Sequence, residues 1–151
     1  CGHGRHMRHL AGLGHSVLGV DQNAEALASC ATLGETLCAD LENAPWPLPD
    51  RRFDGIVVTN YLWRALCPQL LDSLTEGGVL IYETFALGNE TVGKPSRPDF
   101  LLRPGELLEV YRDLRVVAFE EGFLATPDRF VQRIVAVRPP AQTHSPIRYP
   151  L

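Results

Sequence analysis

Short apolar blocks alternate with glycine, proline and acidic breaks along most of this chain, and the spacing inside each block predicts an element. After Gly2 and Gly4, the residues Met7, Leu10, Ala11 and Leu13 fall on one helix face, and Gly12 and Gly14 break the pattern. Residues 16–20 form an apolar run that stops on Asp21, which predicts a short strand ending in a carboxylate. Asn23 is placed to cap a helix from residue 24 to about residue 33, where Gly34 ends it. Residues 36–39 predict a second strand that also stops on an acid, Asp40. Pro45, Pro47 and Pro49 around Trp46 predict an exposed loop.

The second half continues the alternation. Residues 53–59 are rich in β-branched side chains and predict a buried strand that stops at Asn60-Tyr61. A helix is expected over 68–74, a turn at Gly77-Gly78 and a strand over 79–84. Residues 85–103 have no period and hold Gly88, Gly93, Pro95 and Pro98. So long a loop is usually functional or disordered, and it reads as a mobile lid over a ligand. Pro104 suits the first position of a helix with Leu107, Leu108 and Tyr111 on one face. Residues 115–123 and 130–137 predict two strands, joined by a connection short enough for an antiparallel hairpin. The whole predicts an α/β fold: a doubly wound, mostly parallel sheet with an antiparallel C-terminal hairpin. Residues 1–138 read as one domain, and the proline-rich tail 139–151 as extended or loose.

Composition narrows the function. Hydrophobic residues make up 45% of the 151 and charged residues 21%, an ordinary globular balance. A formal net charge of −4 argues against a nucleic-acid partner. No apolar run approaches the roughly 20 residues of a membrane span, so no membrane partner is expected. Cys1, Cys30, Cys38 and Cys67 form no CxxC pair, which argues against zinc and suits free thiols of a cytoplasmic protein. His3, His6 and His9 recur every three residues, but His3 lies in the loop before the helix and no carboxylate joins them. No metal site is expected.

The candidate chemistry lies in the first 21 residues. Glycines let backbone approach a ligand closely, and an acid at a strand's end can accept hydrogen bonds from both hydroxyls of a ribose. The order glycine loop, helix, strand and Asp21 resembles the first two motifs of the class I S-adenosylmethionine-dependent methyltransferases. Gly2 and Gly4 correspond to the last two glycines of that family's Gly-x-Gly-x-Gly loop. The family's first strand, its acid and its first glycine would then lie before Cys1, so the sequence reads as N-terminally truncated. The missing central strand would be supplied by upstream residues, or borrowed from a second copy in a homodimer, or the sheet would close up around the gap. The C-terminal hairpin also matches this family, and ordinary dinucleotide-binding domains lack it.

The resemblance implies S-adenosylmethionine as cofactor and assigns its contacts. Cys1, Gly2, His3 and Gly4 would face the methionine part, Asp21 the ribose, and Gln22 the adenosine. Asp40-Leu41 would serve the adenine, and Asn60-Tyr61 the methionyl portion. These positions are expected to gather at strand ends. Enzymes that methylate base amino groups carry an acid or Asn followed by Pro-Pro and an aromatic, and Asn60-Tyr61-Leu62 lacks the prolines. Segment 88–107 looks like a loop of tellurite-resistance and thiopurine-type methyltransferases, which implies a small-molecule acceptor. Tyr82, Glu83 and Arg97 are the candidate catalytic side chains. One rival is an NAD-type oxidoreductase, whose Gly-x-Gly-x-x-Gly would need glycine where Met7 stands. The other is a decayed domain that binds a partner without catalysis.

Overall fold

The computed structural model describes residues 1–141 and Arg148; of the expected tail, 142–147 and 149–151 lie outside the described residues. The chain packs as two compact units, Cys1–Leu48 and Pro49–Leu151. Among the described residues no helix is long and apolar enough to cross a membrane.

The first unit is built on two parallel strands, β1 (Leu18–Asp21) and β2 (Glu35–Cys38), with Leu18 opposite Glu35 and Asp21 opposite Cys38. Helix α1 (Arg5–Gly12) precedes them. Met7 is buried and Leu10 and Ala11 are half-buried, but Leu13, expected on the same face, is 64% exposed. The helix has already ended there. The Gly14 N–H donates to the Ala11 carbonyl and the His15 N–H to the Leu10 carbonyl, the paired bonds that close a helix at a left-handed glycine. A Cβ on Gly19 would collide with the Met7 thioether, so glycine lets the helix lie against β1.

Helix α2 (Ala24–Ala28) is capped as predicted, with the Asn23 side chain accepting from the Glu25 and Ala26 N–H groups. It stops five residues short of the expected end. The Ser29 hydroxyl donates to the Ala26 carbonyl at 2.6 Å, and the Cys30 N–H, which a continuing helix would send there, goes to Leu27 instead.

The second unit is a four-stranded mixed sheet. Its strands are β3 (Phe53–Thr59), β4 (Leu74–Phe85), β5 (Arg115–Ala125) and β6 (Asp128–Val137), in the order β3-β4-β6-β5. β3 and β4 are parallel, and β6 runs antiparallel to both its neighbours. Strand β4 starts at Leu74, five residues before expectation, because Phe53 pairs with Leu74 before the register jumps to Gly55 opposite Val79. The Gly77-Gly78 turn is thus a bulge inside the strand. The hairpin is tighter than expected, with Ala125 opposite Asp128 and only Thr126 and Pro127 between them.

Side chains alternate along β4. Leu80, Tyr82 and Thr84 are buried, whereas Ile81 is 42% exposed. The buried core of this unit also includes Leu70 and Leu74, at and after helix α3 (Cys67–Asp72), and Leu107 and Tyr111, in and after helix α4 (Glu106–Val110). Helix α4 begins at Glu106 rather than Pro104, because Gly105 takes a left-handed φ of 68° just before it.

Segment 85–103, expected as an aperiodic lid, is pinned at its base. Leu102 bridges Ala86: the Leu87 N–H donates to the Leu102 carbonyl and the Leu102 N–H to the Phe85 carbonyl, and Leu101 and Leu102 are each 1% exposed. Asn89, also 1% exposed, donates to the Pro95 carbonyl and accepts from the Phe130 N–H. Gln132 on β6 is fully buried. Its amide accepts from Leu107 N–H at 3.1 Å and donates to the Arg103 carbonyl at 2.6 Å and to Glu121 at 3.1 Å. Gln132→Ala strands the buried Leu107 N–H. Urea unfolding is expected to show a loss of at least about 1–3 kcal/mol, the cost of an unsatisfied buried group. A loss under about 0.5 kcal/mol, typical of a surface position, would show that Gln132 does not hold this segment.

Candidate functional site

The predicted site residues fall in both units: Asp21 ends β1 with Gln22 after it, Asp40 and Leu41 follow β2, Asn60 and Tyr61 follow β3, Tyr82 and Glu83 lie within β4, and residues 1–4 precede α1. In the first unit the glycine turn comes first. Gly4 is buried with φ 75°, and a Cβ there would lie 2.7 Å from the Cys30 sulfur, so both backbone and space require glycine. Gly2 has φ 55°, is exposed, and a Cβ on it would meet nothing within 4 Å. Its carbonyl accepts the Cys30 thiol at 3.5 Å, and the space where a side chain would stand is open.

Asp21 ties this turn to β1. Its Oδ2 accepts from the Gly2 N–H and from the Cys1 nitrogen, both at 2.7 Å, and the Cys1 nitrogen also donates to the Val20 carbonyl. Its Oδ1 accepts from the Asn23 N–H at 3.0 Å. A carboxylate offers about four acceptor sites, so about one is left, on Oδ1. That leaves room for one ribose hydroxyl, where the sequence reading expects two. Partial burial pushes the Asp21 pKa up. Hydrogen bonds from the positively charged Cys1 amino group, Asn23 and Gly2, with the attraction of that charge, outweigh it and bring the pKa down to about 2.

Asp40 lies two residues past β2, and its carboxylate folds back on its own turn. Oδ1 accepts from the Glu42 and Asn43 N–H groups, and Oδ2 accepts from the Asn43 side-chain amide at 2.9 Å. The Asn43 side chain and those N–H groups hold its pKa below the usual carboxylate value. Gln22 is exposed and Leu41 half-buried. His3 is exposed, with Nδ1 3.5 Å from the Ser29 hydroxyl. Among the described residues no three His, Cys, Asp or Glu side chains gather as a metal-ligand set.

In the second unit Asn60 follows β3 directly, with φ 54° and its N–H on the Glu83 carbonyl at 2.9 Å. Asn is one of the few residues that tolerates this left-handed backbone. The next carbonyl, Tyr61, accepts the Tyr82 hydroxyl at 2.9 Å. Tyr82 is 1% exposed, and burial pushes its pKa far up. It is a fixed donor that sets the corner after β3, not a proton acceptor. Glu83 lies between Arg129 at 3.4 Å and Arg133 at 2.5 Å, and Arg133 reaches on to Glu120. Glu83, Arg133 and Glu120 are cross-strand partners, so this carboxylate cross-links the sheet. Arg97 is 71% exposed, pairs with Asp99 at 2.8 Å and lies over the Phe100 ring.

Sequence reasoning missed Arg64 and Glu106. Glu106 is 2% exposed and takes Arg64 Nε on one oxygen at 2.6 Å and Nη2 on the other at 3.0 Å. Burial pushes the carboxyl pKa up, but the Arg64 hydrogen bonds and the Arg103 N–H carry it below the usual range. No local pattern announces a pair 42 residues apart.

The model of the methyltransferase domain family matches residues 1–79, which include the glycine turn, Asp21, Asp40 and Asn60. The chain belongs to this family. No curated protein matches this methyltransferase domain. Among solved structures, TehB from Haemophilus influenzae superposes with a TM-score of 0.74 at 21% identity, over 91% of this chain and 55% of TehB. This chain therefore spans little more than half the length of TehB. The N-methyltransferase NodS from Bradyrhizobium japonicum WM9 gives 0.70 at 16% identity, over 93% of this chain and 83% of NodS. The glycopeptide N-methyltransferase MtfA, solved with S-adenosylmethionine, gives 0.60 at 17% identity, over 91% and 84% of the two chains. These likenesses establish the fold: the mixed α/β sheet of the methyltransferase domain is the class I, Rossmann-like one.

The Asp21 tie makes a pH prediction. A carboxylate with a depressed pKa adds stability above its unfolded value near 3.9, and that stability is lost as pH falls through the folded value. A carboxyl 13C titration is expected to place Asp21 at about 2. Asp21→Asn should destabilise the chain at pH 7, with the difference from the wild type shrinking below about pH 4 and vanishing only below about pH 2. A midpoint near 4 would show that the carboxylate does not hold the turn.

Proposed function

We propose that this methyltransferase domain moves a methyl group from S-adenosylmethionine to a small-molecule acceptor. The observation that carries the reading is the glycine turn held on Asp21. Asp21 and the Cys30 thiol hold the Gly2 main chain in place with open space where a side chain would stand, and Asp21 keeps an acceptor site on Oδ1. Cys1, Gly2, His3 and Gly4 would hold the methionine part of the cofactor, Asp21 the ribose, Gln22 the adenosine, and Asp40 and Leu41 the adenine. By the same resemblance Asn60 and Tyr61 serve the methionyl portion. The likeness to MtfA, solved with S-adenosylmethionine, supports the cofactor.

Bound S-adenosylmethionine supplies a methyl group already activated on a positive sulfur. What remains for the chain is to orient the acceptor and keep out water. A dedicated base is needed only where the acceptor atom must lose a proton. Tyr82 and Glu83 are both committed to other groups, which favours an acceptor that brings its own lone pair. The resemblance of segment 88–107 to tellurite-resistance and thiopurine-type enzymes supports a small acceptor. The net charge of −4 argues against nucleic acid, which needs cationic contacts to its phosphates.

Isothermal titration with S-adenosylhomocysteine tests the reading. The wild type is expected to bind. Asp21→Ala should weaken binding by about 1–3 kcal/mol, the cost of stranding hydrogen-bonding groups. Gly2→Ala should weaken it too, because its methyl group fills the space the ligand backbone contact needs. Absence of binding to the wild type, or salt-sensitive capture of DNA or RNA in its place, would overturn the proposal.

A further inference from the structure

The corner between β3 and α3 is gripped from two sides. From β4, Tyr82 donates to the Tyr61 carbonyl at 2.9 Å. From the first residue of α4, Glu106 takes both the Nε and Nη2 groups of Arg64. The same guanidinium reaches further. Nη1 donates to the Asp99 carbonyl at 2.7 Å, and Nη2 to the Leu101 carbonyl at 2.9 Å. Glu106 Oε2 also accepts the Arg103 N–H at 2.8 Å. One ion pair thus fixes three stretches: the corner, residues 99–103 and the start of α4.

Only the Glu106 end of this pair is buried, with the Arg64 side chain 40% exposed, and the desolvation of that carboxylate offsets much of the attraction. What it supplies here is geometry. The guanidinium is planar and its donors are rigidly spaced, so Arg64 cannot move without drawing the Asp99 and Leu101 carbonyls with it. The core behind the corner is equally constrained. Tyr111 is fully buried, and its ring lies 6.0 Å from that of Tyr82.

We propose that Arg64 and Glu106 are positioning residues that lock the Asn60–Tyr61 corner to segment 97–103, so that a ligand seated at the corner also orders that segment. The inference rests on the cofactor reading of Asn60 and Tyr61. It assigns the pair a task in assembling the acceptor side of the site. Neither residue needs to touch the cofactor or the acceptor.

Hydrogen exchange read by mass spectrometry, with and without S-adenosylhomocysteine, tests it on the full chain. In the wild type the ligand is expected to slow exchange across 97–103 by about tenfold, within the usual range of coupling between two sites. In Glu106→Gln the ligand should still bind, but the slowing across 97–103 should vanish while β3 and β4 stay protected. Arg64→Lys keeps the charge and loses the planar fork, so it should lose most of the slowing even if Glu106→Gln fails to fold. Equal slowing in both variants and the wild type would overturn the proposal. So would a uniform loss of protection across the unit in both variants, which would make the pair merely structural. If the wild type does not bind the ligand at all, the cofactor reading falls and this inference falls with it. That outcome is distinct from binding without coupling.

Discussion

A buried polar group must find a partner, and in the second unit that requirement shapes the stretch that apolar periodicity leaves unspecified. Asn89, Glu106 and Gln132 are each no more than 2% exposed, and each closes hydrogen bonds with main-chain groups of residues 95–107 or of β6. Removing Gln132 leaves the buried Leu107 N–H without its acceptor. The order of this segment therefore comes from satisfied polar atoms more than from a hydrophobic face. This also explains its long aperiodic run: Gly88, Gly93, Pro95 and Pro98 set turns, and the polar anchors hold the turns to the sheet.

The same requirement governs the strand-end acids of the first unit. Asp21 and Asp40 look like ligand acceptors in the sequence, and each serves the main chain first. Asp21 takes three N–H donors from residues 1, 2 and 23, and Asp40 closes the turn through Glu42 and Asn43. For Asp21 the two roles are compatible. A carboxylate that holds the glycine turn also fixes where that turn presents its backbone, so shaping the site and contacting a ligand are parts of one arrangement. Asp40 likewise accepts three hydrogen bonds, all from its own turn, and the open space beside Gly2 and Asp21 is the stronger feature of this unit.

Much of the fold is legible because local chemistry determines it. Asn23 caps α2 by its own side chain, the β-branched run at 53–59 makes β3, and Gly14 closes α1 through a left-handed turn. The elements that end or begin elsewhere do so through competitors that a period does not reveal. The Ser29 hydroxyl cuts α2 short, Gly105 delays α4, and the pairing of Phe53 with Leu74 extends β4 backwards through a bulge. The site shows the same division. Gly2, Gly4 and Asp21 are legible because positive φ and a strand-end acid are properties of residue type and short spacing. Arg64 and Glu106 are not, since their meeting depends on how α4 is set against the corner after β3, a tertiary fact with no local signature.

This division bears on how the domain tolerates change. A site built from main-chain groups needs glycine at two positions and an acid at one, and leaves most side chains free to vary. Chains 16–21% identical to this one share its fold over more than nine-tenths of its length. The candidate catalytic side chains fit the same view. Tyr82 donates to a carbonyl and Glu83 holds two arginines, so both act on the shape of the sheet's carboxyl end. If the methyl group arrives already activated, orientation is the main service the protein must provide. Residues that fix backbone geometry are then the functional residues, and a reading that looks only for acids and bases passes over them. Arg64 and Glu106 belong to that overlooked class: their charges neutralise each other, and what they add is the fixed position of three segments that no single element determines.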